Sequence, residues 1–241
     1  MNPILGMMCF ATGGLCGALF AVPLRRVNGW RYESYWLAYA IAGMVALPNA
    51  LLLAFVPDVL GVYSAVSGNV VARCALFGMM WGIGGLAWGL MIRYLGIGLG
   101  LAIGCGICSS VGTLLPPIVS GHAADLVKDA HAVLTLVGVV ATLIGIAFVG
   151  LAGHRKSREL TGEAARKAVA EFDFKKGIWI AVFSGLMSAG MNFGLQGGID
   201  LEASALAAGT ASRWLPVQSL VLGGGFLVNA AWCIGKGVRT T

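Results

Sequence analysis

The sequence predicts an all-α, polytopic membrane protein, and its composition is the first reason. Of 241 residues, 58% are hydrophobic and 11% are charged, whereas soluble domains carry about 25% charged residues. The mean hydropathy is +0.86. The apolar residues fall in runs of about 20, the length that crosses the hydrocarbon core of a bilayer as a helix. A chain with so few charges cannot cover a globular surface with polar groups.

Seven segments are apolar and long enough to span a bilayer. In chain order they are 3–24, 34–56, 70–92, 96–119, 132–153, 177–199 and 215–234. No basic region precedes the first of them, because the first Lys or Arg of the chain is Arg25. A signal peptide begins with such a region, so we expect the first segment to be a retained helix.

Glycine supplies eight of the 24 residues from 81 to 104. Helices in lipid gain little from burying apolar surface, so close packing at small residues holds them together. The spacing of four that favours this packing occurs in three spans, at Gly13 and Gly17, at Gly85 and Gly89, and at Gly96, Gly100, Gly104, Cys108 and Gly112. Two interpretations stay open, a static seam and a surface along which the helices of a transporter slide.

The formal net charge of +6 comes from basic residues that are distributed as the expected topology requires. If successive loops alternate sides, all but three of the sixteen Lys and Arg fall on one side, and the other side has Arg73, Lys128 and Arg213. Because basic residues mark the cytoplasmic side, we expect the amino terminus outside and the loop 154–176 in the cytoplasm. The basic excess therefore indicates contact with a lipid bilayer and no nucleic-acid partner.

The cytoplasmic loop divides the chain into a five-helix unit at 1–153, a linker at 154–176 and an incomplete second unit of two helices at 177–241. Short internal matches support this division: GLCGA (14–18) is echoed by GLMSA (185–189), and GMVALPNA (43–50) by GGFLVNA (224–230). The second match aligns Asn49 with Asn229. Both imply an offset of five helices, and an odd offset inverts the topology of the second unit, as in many secondary transporters.

Two motifs, MWGIGGLAWGLMIRYLG (80–96) and VGTLLPPI (111–118), resemble the L-rhamnose–proton symporter family of the drug/metabolite transporter superfamily. The segments VPLRRVNGWRYESYW (22–36) and KKGIWIAVFSGLMSAGMNF (175–193) extend the resemblance over essentially the whole chain. It implies ten helices in two inverted five-helix repeats, an inner-membrane location, an outside amino terminus and uptake of a sugar with protons. The family's last three helices have no counterpart here.

One departure bears on the substrate. Gly85, Ala87 and Trp88 stand where the best-known members of that family carry asparagines and a tyrosine. Asparagine both donates and accepts hydrogen bonds, as sugar hydroxyls require. The resemblance therefore implies a sugar without fixing it as L-rhamnose. The alternatives are a transporter of another small polar metabolite and a truncated, nontransporting membrane protein.

The candidate substrate-binding residues are the few polar and aromatic side chains inside the spans. Asn192 and Gln196 lie four apart on one face of the sixth span. Trp81 and Trp88 lie seven apart on the third and could stack on the apolar face of a pyranose. Amides also come from Asn49 and Asn229. The alternative is that the amides only bond neighbouring helices and that the tryptophans sit at the membrane interface.

Proton coupling needs a titratable group, and no Asp or Glu lies within a predicted hydrocarbon core. Glu33 is the nearest and is interpreted as an interface residue, so the coupling residue stays open. The six cysteines fall in apolar spans, where a disulfide framework is not expected, and Cys105 and Cys108 are interpreted as small packing residues. No motif indicates a metal, a cofactor or an enzyme, and the oligomeric state is not predicted.

Overall fold

A computed structural model describes residues 3–19, 32–159 and 173–239, and these residues form helices and turns with no strand. The α-helices, numbered in chain order, are α1 Pro3–Leu19, α2 Tyr32–Ala40, α3 Leu47–Phe55, α4 Val59–Ser64, α5 Gly68–Leu95, α6 Ile97–Val119, α7 Ala130–Glu159, α8 Phe174–Ser188, α9 Gly190–Gly197, α10 Ile199–Ala207 and α11 Leu215–Arg239. A π-helical turn, Ile41–Ala46, joins α2 to α3, and a 3₁₀ turn, Ala123–Val127, precedes α7. The predicted all-α class is confirmed.

Six helices of the described chain are long and apolar enough to cross a membrane. They are Trp36–Phe55, Gly68–Leu95, Gly98–Val119, Ala130–Gly153, Phe174–Ala207 and Leu215–Gly237. The predicted count of seven is not confirmed, because α1 has 17 residues and the end of the predicted first span, 20–24, lies outside the described residues. The sixth predicted span, 177–199, is part of a longer helical run that extends to Ala207 and includes Asp200 and Glu202.

Helix α5 lies at the centre of the bundle and packs against α6, α8, α9 and α11. Glycines let the backbones meet. A Cβ atom on Gly82 would lie 2.8 Å from the carbonyl oxygen of Gly225 on α11. A Cβ atom on Gly84 would lie 2.7 Å from the amide nitrogen of Ser188 on α8. Because no side chain larger than hydrogen fits there, α5 is held by direct backbone contact on two sides.

The predicted glycine contacts are wrong at Gly85 and Gly89 of the third span and at Gly13 of the first, whereas the surroundings of Gly17 lie outside what the structure describes. A Cβ atom on Gly13, Gly85 or Gly89 would meet no atom within 4 Å, since the faces of α5 that touch α8 and α11 carry other glycines. In the fourth span the pattern does mark packing. Gly100 and Gly104 lie against Met91. The spacing of four residues therefore identified small residues within the spans. It did not identify which face of each helix packs against a neighbouring helix.

Two of the six apolar runs are interrupted near their middle. The first changes to a π-helical turn at Ile41–Ala46, and Pro48 occupies the first turn of the helix that follows. Proline lacks the N–H that would bond the carbonyl of residue 44 and its ring crowds that oxygen, so the widened turn relieves the clash. The second breaks at Ala189, between α8 and α9. There a Cβ atom on Gly190 would lie 2.7 Å from the carbonyl oxygen of Phe77.

Helix α7 packs chiefly along one edge, against α6. Most of its apolar side chains face outward, with Leu134 and Phe148 each 68% exposed. In water such a surface would promote aggregation, whereas in a bilayer it contacts lipid tails. The exposed apolar face is thus a further reason to place these helices in a membrane. Residues 160–172 of the expected linker lie outside the described residues.

Candidate functional site

A cavity of about 300 Å³ lies among α2, the π-helical turn, α5, α6, α8 and α11. We call it the aromatic cavity. Its lining residues are Trp36, Tyr39, Met44, Trp81, Gly82, Gly85, Trp88, Cys108, Ser188 and Asn229. Most of these residues lie near the middle of their helical runs, as Trp81 does in α5, so the cavity is about halfway along the bundle. Pockets of this size and lining typically bind small molecules.

Four aromatic rings form the walls of the aromatic cavity. Trp36 and Tyr39 come from consecutive turns of α2, and their ring centroids are 5.4 Å apart with a tilt of 40°. Trp81 and Trp88 come from α5, two turns apart. The ring of Trp81 lies directly over Gly225, where a Cβ atom would be 2.6 Å from the ring carbon Cε3. Aromatic faces of this kind pack well on the C–H face of a sugar ring.

Asn229 is the principal polar group of the aromatic cavity and is only 1% exposed. Its Oδ1 accepts a hydrogen bond of 2.9 Å from the indole nitrogen of Trp36, and its Nδ2 donates one of 2.8 Å to the carbonyl oxygen of Gly225. A primary amide has two donor hydrogens and two acceptor lone pairs. One donor and one acceptor position of Asn229 therefore remain, and Ser188 contributes a hydroxyl to the same lining.

The structure brings together three of the six residues predicted from sequence: Trp81, Trp88 and Asn229. Sequence reasoning missed Trp36, Tyr39, Met44 and Ser188. The spacing of three between Trp36 and Tyr39 was a usable signal, because it places both rings on one helix face. Met44 gave no such signal, since the π-helical turn that aims it at the cavity cannot be read from apolar periodicity.

Asn49 lies in a second cavity of about 620 Å³ between α3, α4, α5 and α11. Its Oδ1 accepts a hydrogen bond of 2.9 Å from Ser219, and its Nδ2 donates to the carbonyl oxygen of Val45 at 2.8 Å. Tyr63, on the short helix α4, lines the same cavity and donates to the carbonyl oxygen of Pro216 at 3.0 Å. Burial raises the pKa of Tyr63 to about 12, so its hydroxyl stays protonated at neutral pH.

The π-helical turn separates the two cavities. Met44 lines the aromatic cavity, and the next residue, Val45, lines the second one. Both side chains belong to the widened turn Ile41–Ala46.

Asn192 and Gln196 line neither of these two cavities. Both lie on α9, directly after the break at Ala189. Asn192 is half-buried and lies against Gly112 of α6, and Gln196 is exposed. The spacing of four did place them on one face of a helix.

Among the described residues, few titratable groups lie near the aromatic cavity. Glu33 is half-buried in the first turn of α2. Glu202, in the helical run that ends at Ala207, lies 3.6 Å from Arg213. Within the described residues no group of three or more His, Cys, Asp or Glu could hold a metal ion.

The six long apolar helices and the cavity among them define this chain as a multi-pass helical membrane protein. The family described as L-rhamnose-proton symport protein matches residues 1–240, and the chain belongs to that family. The resemblance drawn from the motifs is thus confirmed. The relatives are named as symporters and not as enzymes.

Curated relatives named L-rhamnose-proton symporter are similar along nearly the whole chain. The protein of Mannheimia succiniciproducens is 34% identical over 233 residues, which cover 96% of this chain and 66% of the relative. The proteins of Klebsiella pneumoniae and Shigella flexneri are each 35% identical over 231 residues, covering 95% of this chain and 66% of each relative. The chain thus spans just under two thirds of the length of these relatives. No solved structure matches it.

Proposed function

We propose that this protein is a proton-coupled secondary transporter of the inner membrane that imports a sugar, either L-rhamnose or a sugar closely related to it. The observation that carries the proposal is the aromatic cavity, which combines aromatic walls with the amide of Asn229 halfway along the helices. Membership of the family supports the same function. Relatives named for L-rhamnose and protons supply the choice of sugar and coupling ion.

The lining suits a molecule with one apolar face and several hydroxyl groups. The rings of Trp81 and Trp88 offer surfaces for the C–H face of a pyranose. The remaining donor of Asn229 and the hydroxyl of Ser188 offer hydrogen-bond partners for the sugar's edge. Gly85 lines the cavity without a side chain and so leaves space open beside the rings. Binding there would place the sugar about halfway along the bundle, where secondary transporters commonly hold their substrates.

Asn192 and Gln196 are proposed as part of the route to the cavity. Asn192 follows Ser188 by four residues across the break at Ala189, and Gln196 follows by four more. This row leads from the cavity toward the exposed end of α9. Amide groups along such a row could exchange hydrogen bonds with a passing sugar, and Asn49 would play the same part in the second cavity.

The two helix interruptions are proposed as the places where the protein changes shape during transport. Each supplies a lining residue of the aromatic cavity, Met44 from the π-helical turn and Ser188 from the residues before the break. Interrupted helices with binding residues at the interruption recur in secondary transporters. Repacking at these points would open the cavity to one side of the membrane and then to the other.

The proposed organisation is an inverted pair of repeats, 1–153 and 177–241, joined by a cytoplasmic linker at 154–176, with the amino terminus outside. The distribution of Lys and Arg supports this orientation. The partners are the sugar, protons and the lipid bilayer, with no nucleic acid. We propose no oligomeric state.

A second candidate is transport of another small polar metabolite. The observation in its favour is the replacement, at Gly85, Ala87 and Trp88, of side chains that could bond sugar hydroxyls.

Uptake into proteoliposomes tests the proposal. An imposed inward proton gradient should drive accumulation of radiolabelled L-rhamnose, and a protonophore should abolish it. Uptake of L-fucose and of D-glucose, measured separately, shows which sugar the protein prefers. Accumulation that survives the protonophore would contradict proton coupling. Absence of any sugar uptake, with uptake of another polar solute, would favour the second candidate.

A further inference from the structure

We infer that Trp36 is a positioning residue for the substrate: it fixes the side-chain amide of Asn229 in one orientation, and the fixed amide selects a molecule with two adjacent hydroxyl groups. The inference rests on the proposed function and narrows the class of substrate. It depends on the chemistry of the two groups to which the amide is bonded.

The partners of Asn229 determine which end of its amide is the oxygen. The indole nitrogen of Trp36 can only donate a hydrogen bond, so the atom that it reaches at 2.9 Å must be the amide oxygen, Oδ1. The backbone carbonyl of Gly225 can only accept, so the atom that bonds it at 2.8 Å must be the amide nitrogen, Nδ2. Reversing the amide would set donor against donor and acceptor against acceptor. The side chain therefore has one favourable orientation.

Both partners of the amide are themselves held in place. Trp36 is half-buried on α2, and the centroid of its ring lies 5.4 Å from that of Tyr39. The carbonyl of Gly225 faces α5, where a Cβ atom on Gly82 would lie 2.8 Å from its oxygen. Asn229 is only 1% exposed, so bulk water has little access to the two hydrogen bonds.

The orientation decides what the amide offers to a molecule in the aromatic cavity. One hydrogen of Nδ2 and one lone pair of Oδ1 are not used by Trp36 and Gly225. The amide thus presents one donor and one acceptor in a fixed order. The hydroxyls of Tyr39 and Ser188 in the same lining can rotate about their C–O bonds, and each can donate or accept. Asn229 therefore imposes a pattern that those hydroxyls do not impose.

Two hydroxyl groups on neighbouring carbons of a sugar ring fit this pattern. One hydroxyl accepts a hydrogen bond from Nδ2, and its neighbour donates one to Oδ1. A ligand that lacks either hydroxyl leaves one side of the buried amide unpaired, which is costly away from water. The rings of Trp81 and Trp88 in the same lining would cover the apolar face of the same sugar. Selectivity for the adjacent pair thus comes from Asn229, and Trp36 acts on the substrate through it.

The first test compares Trp36→Phe with the wild-type protein in proteoliposomes. Phenylalanine keeps an aromatic ring at the wall of the cavity and removes the N–H group, so the amide of Asn229 can turn. We expect the apparent KM for L-rhamnose to rise about 5-fold or more, while the maximal rate stays within about 2-fold of wild type. Trp179→Phe is the matched control and should behave as wild type, because Trp179 is 69% exposed on α8 and lines neither cavity.

The second test separates positioning from a merely structural role. Analogues of L-rhamnose that each lack one ring hydroxyl are offered as competitors of the labelled sugar. In the wild type, loss of either member of one adjacent pair should weaken competition about 5-fold or more. In Trp36→Phe these analogues and L-rhamnose should compete almost equally, because the amide no longer keeps its donor and acceptor in a fixed order. A general loss of structure would weaken all sugars alike and leave their ratio unchanged.

Two further variants keep the inference testable if Trp36→Phe is poorly produced. Replacement of Trp36 by benzothienylalanine, in which sulfur takes the place of the N–H group, preserves the shape of the indole and should raise the apparent KM in the same way. In the Asn229→Ala background, Trp36→Phe should change the apparent KM by less than about 2-fold, because the amide that it positions is gone.

Three outcomes overturn the inference: an apparent KM of the benzothienylalanine variant equal to that of wild type, an unchanged ratio between the analogues and L-rhamnose, or losses from the Trp36 and Asn229 substitutions that add in full. Absence of sugar uptake by the wild-type protein, with the protein present in the membrane, would instead overturn the proposed function and the inference with it.

Discussion

Asn49 and Asn229 make matching hydrogen bonds in opposite directions between the same two helical runs. Asn49 on α3 accepts from Ser219 on α11, and Asn229 on α11 accepts from Trp36 on α2, both at 2.9 Å. Each amide also donates to a carbonyl four residues back in its own run, both at 2.8 Å. The two asparagines were aligned by the internal sequence match. Their equivalent bonding supports the proposed inverted repeat, although they serve different cavities.

We expect Asn229→Ala to weaken sugar uptake about 5- to 150-fold, as an apparent affinity. The change leaves the buried indole N–H of Trp36 without its acceptor and removes an amide from the cavity lining. Ser219→Ala is the matched control, because it removes the equivalent hydrogen bond, which Ser219 donates to Asn49 outside the aromatic cavity. It should lower thermal stability in detergent while the apparent affinity stays near wild type. Equal losses of affinity in both variants would contradict the assignment of the site.

Gly225→Ala should weaken uptake without removing any polar group. The new methyl group would occupy the place of the Trp81 ring, and relieving such overlap costs about 1–3 kcal/mol. The ring would move into the cavity, so the apparent affinity should fall while the protein remains in the membrane. Gly223→Ala is the control, since a Cβ atom there meets nothing within 4 Å. Kinetics of uptake for the two variants check the expectation, and identical kinetics would exclude Trp81 from the wall of the site.

Gly78→Ala should destabilise the helix bundle. A Cβ atom at Gly78 would overlap the backbone carbonyl of Val221, which cannot move aside as a side chain can. We expect a loss of about 1–3 kcal/mol, seen as a lower melting temperature in detergent. Gly89→Ala lies on the same helix where nothing approaches within 4 Å, and alanine favours a helix over glycine. That variant should match or exceed wild-type stability, and a drop equal to that of Gly78→Ala would show that the overlap with Val221 is not the cause of the loss.

Topology is tested at the linker. In a variant without the native cysteines, Ser157→Cys should react with a membrane-impermeant thiol reagent only after the cells are opened, because 154–176 is expected in the cytoplasm. Ser120→Cys, in the loop after α6, should react in intact cells. Reversal of the two patterns would place the amino terminus in the cytoplasm.

The sequence alone predicted the helical runs well, because length and apolar content are local properties. The six long runs overlap six of the seven predicted spans. Three features were not predicted, two because they depend on tertiary contacts and one because apolar periodicity does not show a π-helical turn. The break at Ala189 arises where Gly190 meets the α5 backbone, the π-helical turn adapts to Pro48, and Trp36 joins the cavity only because α2 lies beside α11.

The candidate site was predicted only in part, because residue type is a local property whereas the contacts between helices are not. Trp81, Trp88 and Asn229 were chosen as unusual residues inside spans, and the aromatic cavity contains all three. Residue type could not show that Asn49 and Asn229 would belong to different cavities. Nor could it show that the face of α9 with Asn192 would meet Gly112 instead of the tryptophans.

The π-helical turn forms a wall that the aromatic cavity and the second cavity share. Its geometry determines that Met44 faces the aromatic cavity and that Val45 faces the second one. Removing one residue from Ile41–Ala46 would return the run to regular α-helix, because a π-helical turn carries one residue more than an α-helical turn. The wider turn and the extra residue offset each other in rotation, so Asn49 would still face Ser219 and Trp36 would still face Asn229. The deletion would instead shorten the shared wall by one residue and bring the ring of Pro48 back against the carbonyl oxygen four residues before it.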